Sequence, residues 1–394
     1  MKKLLFTIFA VGGLLTHGAL QAQEAQEDYV KFGGAVRYNI HDKSWNDDKT
    51  DPQFTWDTWR LNVDARTAGV DLSFEYRFYP TSGNSHFLHH GWLGYGFNED
   101  LYMKLGVTQV PFGITKFASH SWWFQIPYYV GLEDDYDMGI KFDYTGIENL
   151  TLNFAYFHQP EPNGGVSAGL DPNASRYSYD ITSIAPSVDD EGKEIPGTGA
   201  AIKETRQFNI RAAYNLSDDW EIGLSGQFGS NYNSVLDESV ASNAFAAHVV
   251  GNFGNGFNFK GEYISYDYGA KDNAGNDLAA VQMGAYGSNY NVAAKADIWV
   301  AGLAYSIPVE WGPISNIQPY IDYSVITKAE EGFHNSEHFV PGFLVTAGSI
   351  YTYVDWAFGK NNAWVGDQWT NGLAKGKDQS GWDRRFNINI GYYF

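Results

Sequence analysis

The chain has 394 residues, 43 of them glycine and none cysteine, with 17% aromatic and only 18% charged side chains. Its 26 Lys and Arg against 46 Asp and Glu leave a formal charge of −20, which disfavours binding to nucleic acid, itself a polyanion. The aromatic content excludes a disordered polymer, and the lack of cysteine excludes disulfide scaffolds, thiolate zinc sites and cysteine nucleophiles.

Lys2 and Lys3 precede an apolar run from Leu4 to Leu15. The run is shorter than the roughly 20 residues of a membrane-spanning helix and has the length of a signal-peptide core. Residues 1–22 are therefore read as a signal peptide cut after Ala22, although Leu20 stands where a small residue is usual. Residues 23–394 are read as one exported domain.

Beyond this segment no run of 18 apolar residues occurs, and a period of two takes over. Val30, Phe32, Gly34, Val36, Tyr38 and Ile40 alternate with Lys31, Arg37 and Asn39. Val70, Leu72, Phe74, Tyr76 and Phe78 alternate with Asp71, Ser73, Glu75 and Arg77. The pattern returns at Tyr136–Tyr144 and at Phe386–Phe394. One such strand fits a soluble sandwich equally well. Recurrence along the whole chain, with charge on the polar phase, is what a lipid-facing barrel with a wet lumen requires.

Short connections at 66–69, 98–100, 145–149, 215–219, 253–256, 307–315 and 346–349 alternate with longer ones at 41–54, 80–85, 111–134, 160–204, 230–243, 268–292, 328–338 and 359–383. They bound sixteen strands, the hairpin at about 338–358 resting on the parity of the count. The expectation is an all-β, 16-stranded antiparallel transmembrane β-barrel in the outer membrane of a Gram-negative cell. A barrel of this size leaves an aqueous channel.

In the phase set by the apolar residues, Arg37, Arg60, Arg66 and Arg77 point inward, and closure of the barrel brings Arg385 beside them. These five form a pore-lining basic wall. Glu133, Asp134, Asp135 and Asp137 lie where the 111–134 loop returns to the wall. If the loop crosses the lumen, they face the arginines and set up a transverse field. The alternative is ordinary lumen ion pairs, Arg60 with Asp64 and Arg77 with Glu75 or Asp71. Trp122, Trp123, Tyr128 and Tyr129 in the same loop read either as a stacking surface for sugars or as the packing that pins the loop.

No Gly-x-Ser-x-Gly elbow, Walker loop or His-Glu-x-x-His stands out, so no catalytic residue, cofactor or metal is expected. His86 and His90 are expected inward and His89 outward, which keeps them from sharing a metal. His334 and His338 with Glu337, and the acidic stretch 47–51, offer ligand types for a divalent cation, but solvated loops are the preferred reading of both.

Val110-Pro111-Phe112-Gly113 closes the fifth strand, and the aromatic loop after it leads into Gly131-Leu132-Glu133-Asp134-Asp135-Tyr136-Asp137-Met138-Gly139. This region resembles the third loop of the porins grouped with the phosphate-selective porins O and P. The resemblance implies a homotrimer of 16-stranded channels, each narrowed by an inward-folded third loop. It also implies phosphate selectivity carried by rungs of inward arginines and a lysine cluster, of which this chain supplies some arginines but few inward lysines. The terminal Phe394, sharing a face with Ile390 and Tyr392, resembles the signal read by the outer-membrane barrel assembly machinery.

The functional expectation is passive diffusion of small hydrophilic solutes and ions through a weakly selective channel. A phosphate- or anion-selective porin is the alternative, and an outer-membrane barrel hydrolase the second. A barrel plugged by the 160–204 loop is a third. Expected partners are outer-membrane lipid and lipopolysaccharide, further copies of the chain, and small hydrophilic solutes or inorganic anions.

Overall fold

The computed structural model describes residues 27–46, 52–182, 187–188, 194–195 and 202–394. The signal-peptide reading and the acidic stretch 47–51 lie outside the described residues. Sixteen strands form the wall: β1 (Tyr29–Lys43), β2 (Gln53–Thr67), β3 (Val70–Tyr79), β4 (Ser85–Gly96), β5 (Leu101–Gln109), β6 (Tyr136–Ile147), β7 (Leu150–Pro160) and β8 (Ile202–Ser217) make the first half. The second half comprises β9 (Trp220–Asn233), β10 (Glu238–Phe253), β11 (Phe257–Tyr268), β12 (Lys295–Tyr305, continued by Ile307–Trp311), β13 (Ile314–Lys328), β14 (Ser336–Ala347), β15 (Ile350–Lys360) and β16 (Asp383–Tyr393).

Each strand pairs antiparallel with the next in sequence. β1 pairs with β16 from Ala35↔Tyr393 to Lys43↔Arg385, which closes the sheet. The fold is therefore an all-β, 16-stranded closed barrel. Closure leaves no sheet edge, the condition for a sheet to sit in lipid.

All seven short connections lie at one end, the turn end. At β2–β3, Ala68 (φ 50°) and Gly69 (φ 79°) form the doubly left-handed pair that matches strand twist in a two-residue hairpin. Most connections are a few residues shorter than expected, and two differ more. The 307–315 turn shrinks to Gly312-Pro313, because Ile307, Pro308 and Trp311 pair with β13. The 230–243 loop shrinks to 234–237, because pairing of β9 and β10 runs on to Asn233↔Glu238.

The outer face carries the apolar phase: Phe32, Leu61, Leu93, Leu105, Phe208, Leu224, Phe245, Trp299 and Tyr392 are all exposed. The inner face is polar toward the turn end but changes character toward the loop end. On β11 the inward residues run Glu262, Ile264, Tyr266, Tyr268, all buried. Ile264, Tyr266 and Tyr268 join Tyr79, Phe87, Phe157, Ile298 and Ile326 from the wall and Trp123, Tyr128, Tyr177, Tyr179, Met283, Tyr290 and Leu373 from the loops in one core. The 269–294 loop contributes its own hairpin, Ala280–Ala285 with Ser288–Ala293. Asp180–Ile181 from the 161–201 connection adds to that hairpin as a third strand.

One wall irregularity reverses a sequence expectation. Glu75 pairs with His90 and Tyr76 with Leu88, so His89 is an extra residue, a β-bulge. His86 consequently faces outward, 2.7 Å from the Tyr76 hydroxyl and stacked on Phe78. His89 and His90 both face inward, with their Nδ1 atoms 2.8 Å apart.

Candidate functional site

The 110–135 loop leaves β5 and enters the lumen. Gly113 (φ 55°) passes against the wall where a Cβ would lie 1.9 Å from the Glu262 carboxylate, so only glycine fits. Its amide donates to Ser225 Oγ on β9 at 3.0 Å, and its carbonyl accepts from Arg211 Nε on β8 at 2.8 Å. The Ile114 amide donates to Glu262 Oε1 on β11 at 2.9 Å. Lys260 Nζ donates to the carbonyls of Phe117 and Ser119 at 2.7 and 2.8 Å.

The deepest anchor is Asp322 on β13, which is fully buried. Its carboxylate accepts from the amides of His120 and Ser121, each at 2.8 Å, and faces His120 Nδ1 at 2.8 Å. His120 Nε2 reaches Asn258 Oδ1 at 2.7 Å. The Ile126 amide donates to Ser324 Oγ at 3.1 Å, after which a single helical turn, α1 (Ile126–Tyr129), reverses the chain. Trp123 lies under the Arg385 guanidinium on β16 at 4.7 Å. The loop thus touches wall strands on the far side of the barrel from its own β5 and β6.

Three of the four loop aromatics are buried: Trp123, Tyr128 and Tyr129, with Trp122 half-buried. Tyr128 stacks on Phe124 at 3.8 Å and its hydroxyl meets that of Tyr286 at 2.6 Å. The carbonyl of Tyr129 accepts from the Tyr290 hydroxyl at 2.6 Å. These rings tie the inward loop to the 269–294 loop above it, in the manner of packing groups.

The five arginines share one sector, and four of them are paired. Arg37 Nε lies 2.8 Å from Asp57, Arg66 pairs with Asp71 at 2.5 Å, and Arg60 and Arg77 both pair with Glu75. Arg385 has no carboxylate ion pair among the described residues and stacks on Trp123. Arg77 also covers the Tyr177 ring at 4.5 Å.

The four acids separate. Glu133 is buried beneath the loop, accepting from the Ala118 amide at 2.9 Å. Burial, with the Glu262 carboxyl beside it, pushes its carboxyl well above the usual range. Asp134 is raised by burial, against the opposing pull of the Tyr177 hydroxyl and Arg77, and it is the member nearest the arginine sector. Asp135 and Asp137 turn away to meet Asp180. His334 and His338 do not converge: His338 is fully buried beside Trp123, whereas His334 lies 3.9 Å from Asp378 in a loop.

Sequence reasoning missed the anchors Asp322, Ser324, Glu262, Lys260 and Arg211. Their only signal is polarity in the inward phase, since Asp322 and its partner His120 stand 202 positions apart.

No protein-family description and no curated protein matches this chain. Solved structures do. The outer membrane channel DcaP of Acinetobacter baumannii aligns with a TM-score of 0.59 and 12% identity over 93% of this chain and 97% of that one. The anion-selective porin from Comamonas acidovorans aligns at 0.59 and 13%, over 93% and 100%. OmpF of Salmonella typhi aligns at 0.57 and 10%, over 93% and 98%. At such identities the likeness is one of fold, and the fold is that of porin-like 16-stranded barrels.

Proposed function

We propose that the chain is an outer-membrane porin, a weakly selective passage for small hydrophilic solutes and ions. The observation that carries this reading is the 110–135 loop. It crosses the lumen and is held there by polar and charged wall residues, the arrangement that narrows a diffusion channel without sealing it. The loop core toward the loop end leaves the hydrated part of the lumen toward the turn end, so unit conductance is expected to be small. Four of the five wall arginines are neutralised by carboxylates. Compensated charge favours weak selectivity over a phosphate site, which needs cations free of carboxylates.

Planar-bilayer recording tests this. Stepwise conductance in a salt gradient, with little preference for either ion, is the expected result. A folded barrel that never conducts refutes the channel, and block of chloride current by micromolar phosphate restores the phosphate-selective reading.

A homotrimer is part of the proposal, and OmpT of Vibrio cholerae, similar in fold at 12% identity, has been solved in a trimer form. Of the small lipid-facing residues Ala212, Gly226, Ala247 and Gly251, which could let barrels approach closely, the two glycines do not make open notches. A Cβ on Gly251 would meet the Trp220 ring at 2.3 Å, and one on Gly226 the Phe228 ring at 2.9 Å. Ala212 and Ala247 flank Leu224 on the outer face.

The hydrolase reading draws on one contact, Ser73 Oγ to His90 Nε2 at 3.1 Å. Ser73 sits mid-strand, paired on both sides, so neighbouring amides are committed to the sheet rather than to an oxyanion. Ester hydrolysis that disappears in Ser73→Ala would favour the enzyme.

A further inference from the structure

At the loop end, where β6, β7 and β8 leave the wall, five carboxylates converge. Asp135 ends the inward loop, Asp137 begins β6, Glu161 follows β7, Asp180 lies in the short loop strand and Glu204 begins β8. One oxygen from each of Asp135, Asp137 and Asp180 lies within 4.8 Å of the other two. Glu161 and Glu204 both lie against Asp180.

The partners of this cluster are few. Arg176 pairs with Asp180 at 2.8 Å, and Gln207 Nε2 donates to Asp137 at 3.0 Å. The amides of Ser178 and Ile181 donate to Glu161 and Glu204 at 2.8 and 3.2 Å. That leaves Asp135 Oδ1, Asp137 Oδ1 and Glu161 Oε2 with no partner, on residues only 7%, 5% and 2% exposed. Among the described residues, one guanidinium faces five carboxylates. A buried carboxylate in a native fold is paired, neutralised or bound to a metal, and three buried, unpartnered oxygens within one acidic cluster call for a cation.

We propose that this pocket is a calcium site, with Asp135, Asp137 and Asp180 as direct ligands and Glu161, against Asp180, as the residue that orients them. The donor set is all oxygen, with no histidine or cysteine, which selects a hard cation. Magnesium keeps several waters and is usually held by only one or two carboxylates, whereas calcium takes about six to eight oxygens, so three buried carboxylates in one place suit calcium. The ligands come from the inward loop, the wall and the 161–182 segment, whose strand at 180–181 pairs with Met283 and Gly284. The ion therefore clamps the loop assembly onto the barrel. This inference does not rest on what the barrel conducts.

The test uses the full chain refolded in detergent without lipopolysaccharide, stripped with a chelator and titrated calorimetrically with calcium chloride alone, then with magnesium chloride alone. One calcium per chain is expected, with a Kd of about 10⁻⁴ M or tighter. Asp137→Asn combined with Asp180→Asn is expected to weaken binding by about a hundredfold, and Glu161→Gln alone by about tenfold. Mobility on a gel before and after boiling shows whether each variant has folded, and Glu161→Gln decides the matter if the double variant does not. Folded wild-type protein that takes up no calcium at about 5 mM, equal affinity for magnesium, or unchanged affinity in Glu161→Gln overturns the site.

Discussion

Replacing Asp322 with alanine should release the inward loop. Its carboxylate accepts from two backbone amides and faces an imidazole nitrogen, all at 2.8 Å, in a fully buried position. Hydrogen bonds to a charged group contribute about 1.5–3 kcal/mol each. Losing the three costs the seated loop at least about 4 kcal/mol, or roughly a thousandfold in the ratio of seated to displaced forms. Water entering the emptied space recovers part of this, so Asp322→Ala is expected to show larger and noisier unit conductance than wild type. Asp322→Asn keeps one accepting oxygen and should fall between the two. The complementary assay is limited proteolysis from the loop side, with new cleavage expected between 111 and 134. Unchanged conductance together with unchanged proteolysis in a folded Asp322→Ala barrel would show that the wall anchors do not position the loop.

Removing Arg60 and Arg77 together, each to alanine, strands Glu75 without its two arginine partners and should move the reversal potential toward cation preference; no shift places this sector away from the narrowest section. The protein should migrate differently on a gel before and after boiling, whereas a strongly helical circular dichroism spectrum would rule out the barrel. Leu105→Arg, on the exposed outer face of β5, should cost about 2–4 kcal/mol in insertion and lower the refolding yield into vesicles, while equal yields would mean that this face does not meet lipid.

The wall was legible because each strand has one face toward lipid and one toward the lumen, so Val70 to Phe78 and Phe386 to Phe394 alternate without interruption. Legibility failed where that division fails. A single inserted residue, His89, shifts the phase of the strand, and no composition signal announces a bulge. Pro308, Gly312 and Pro313 read as a long turn, although the first lies within a paired strand. Ile264, Tyr266 and Tyr268 face inward and are apolar because they meet the loops, which the alternation alone does not foresee. The arginine sector follows from phase and closure. Its acid partners in the loop do not, because Glu133 is buried beside Glu262 and Asp135 meets Asp180, each contact distant in sequence.

The aromatic core at the mouth gives the molecule two kinds of stability in one chain. The wall persists because its amides and carbonyls have no water to return to once they are in lipid. The core of Tyr128, Tyr177, Tyr179, Met283 and Tyr290 is assembled against water, like the interior of a small soluble protein, and depends on the hydrophobic effect. Urea weakens the second and leaves the first largely intact. The chain is in this sense a water-soluble globule seated in the rim of a membrane cylinder. The globule can melt and reform while the cylinder beneath it stays whole.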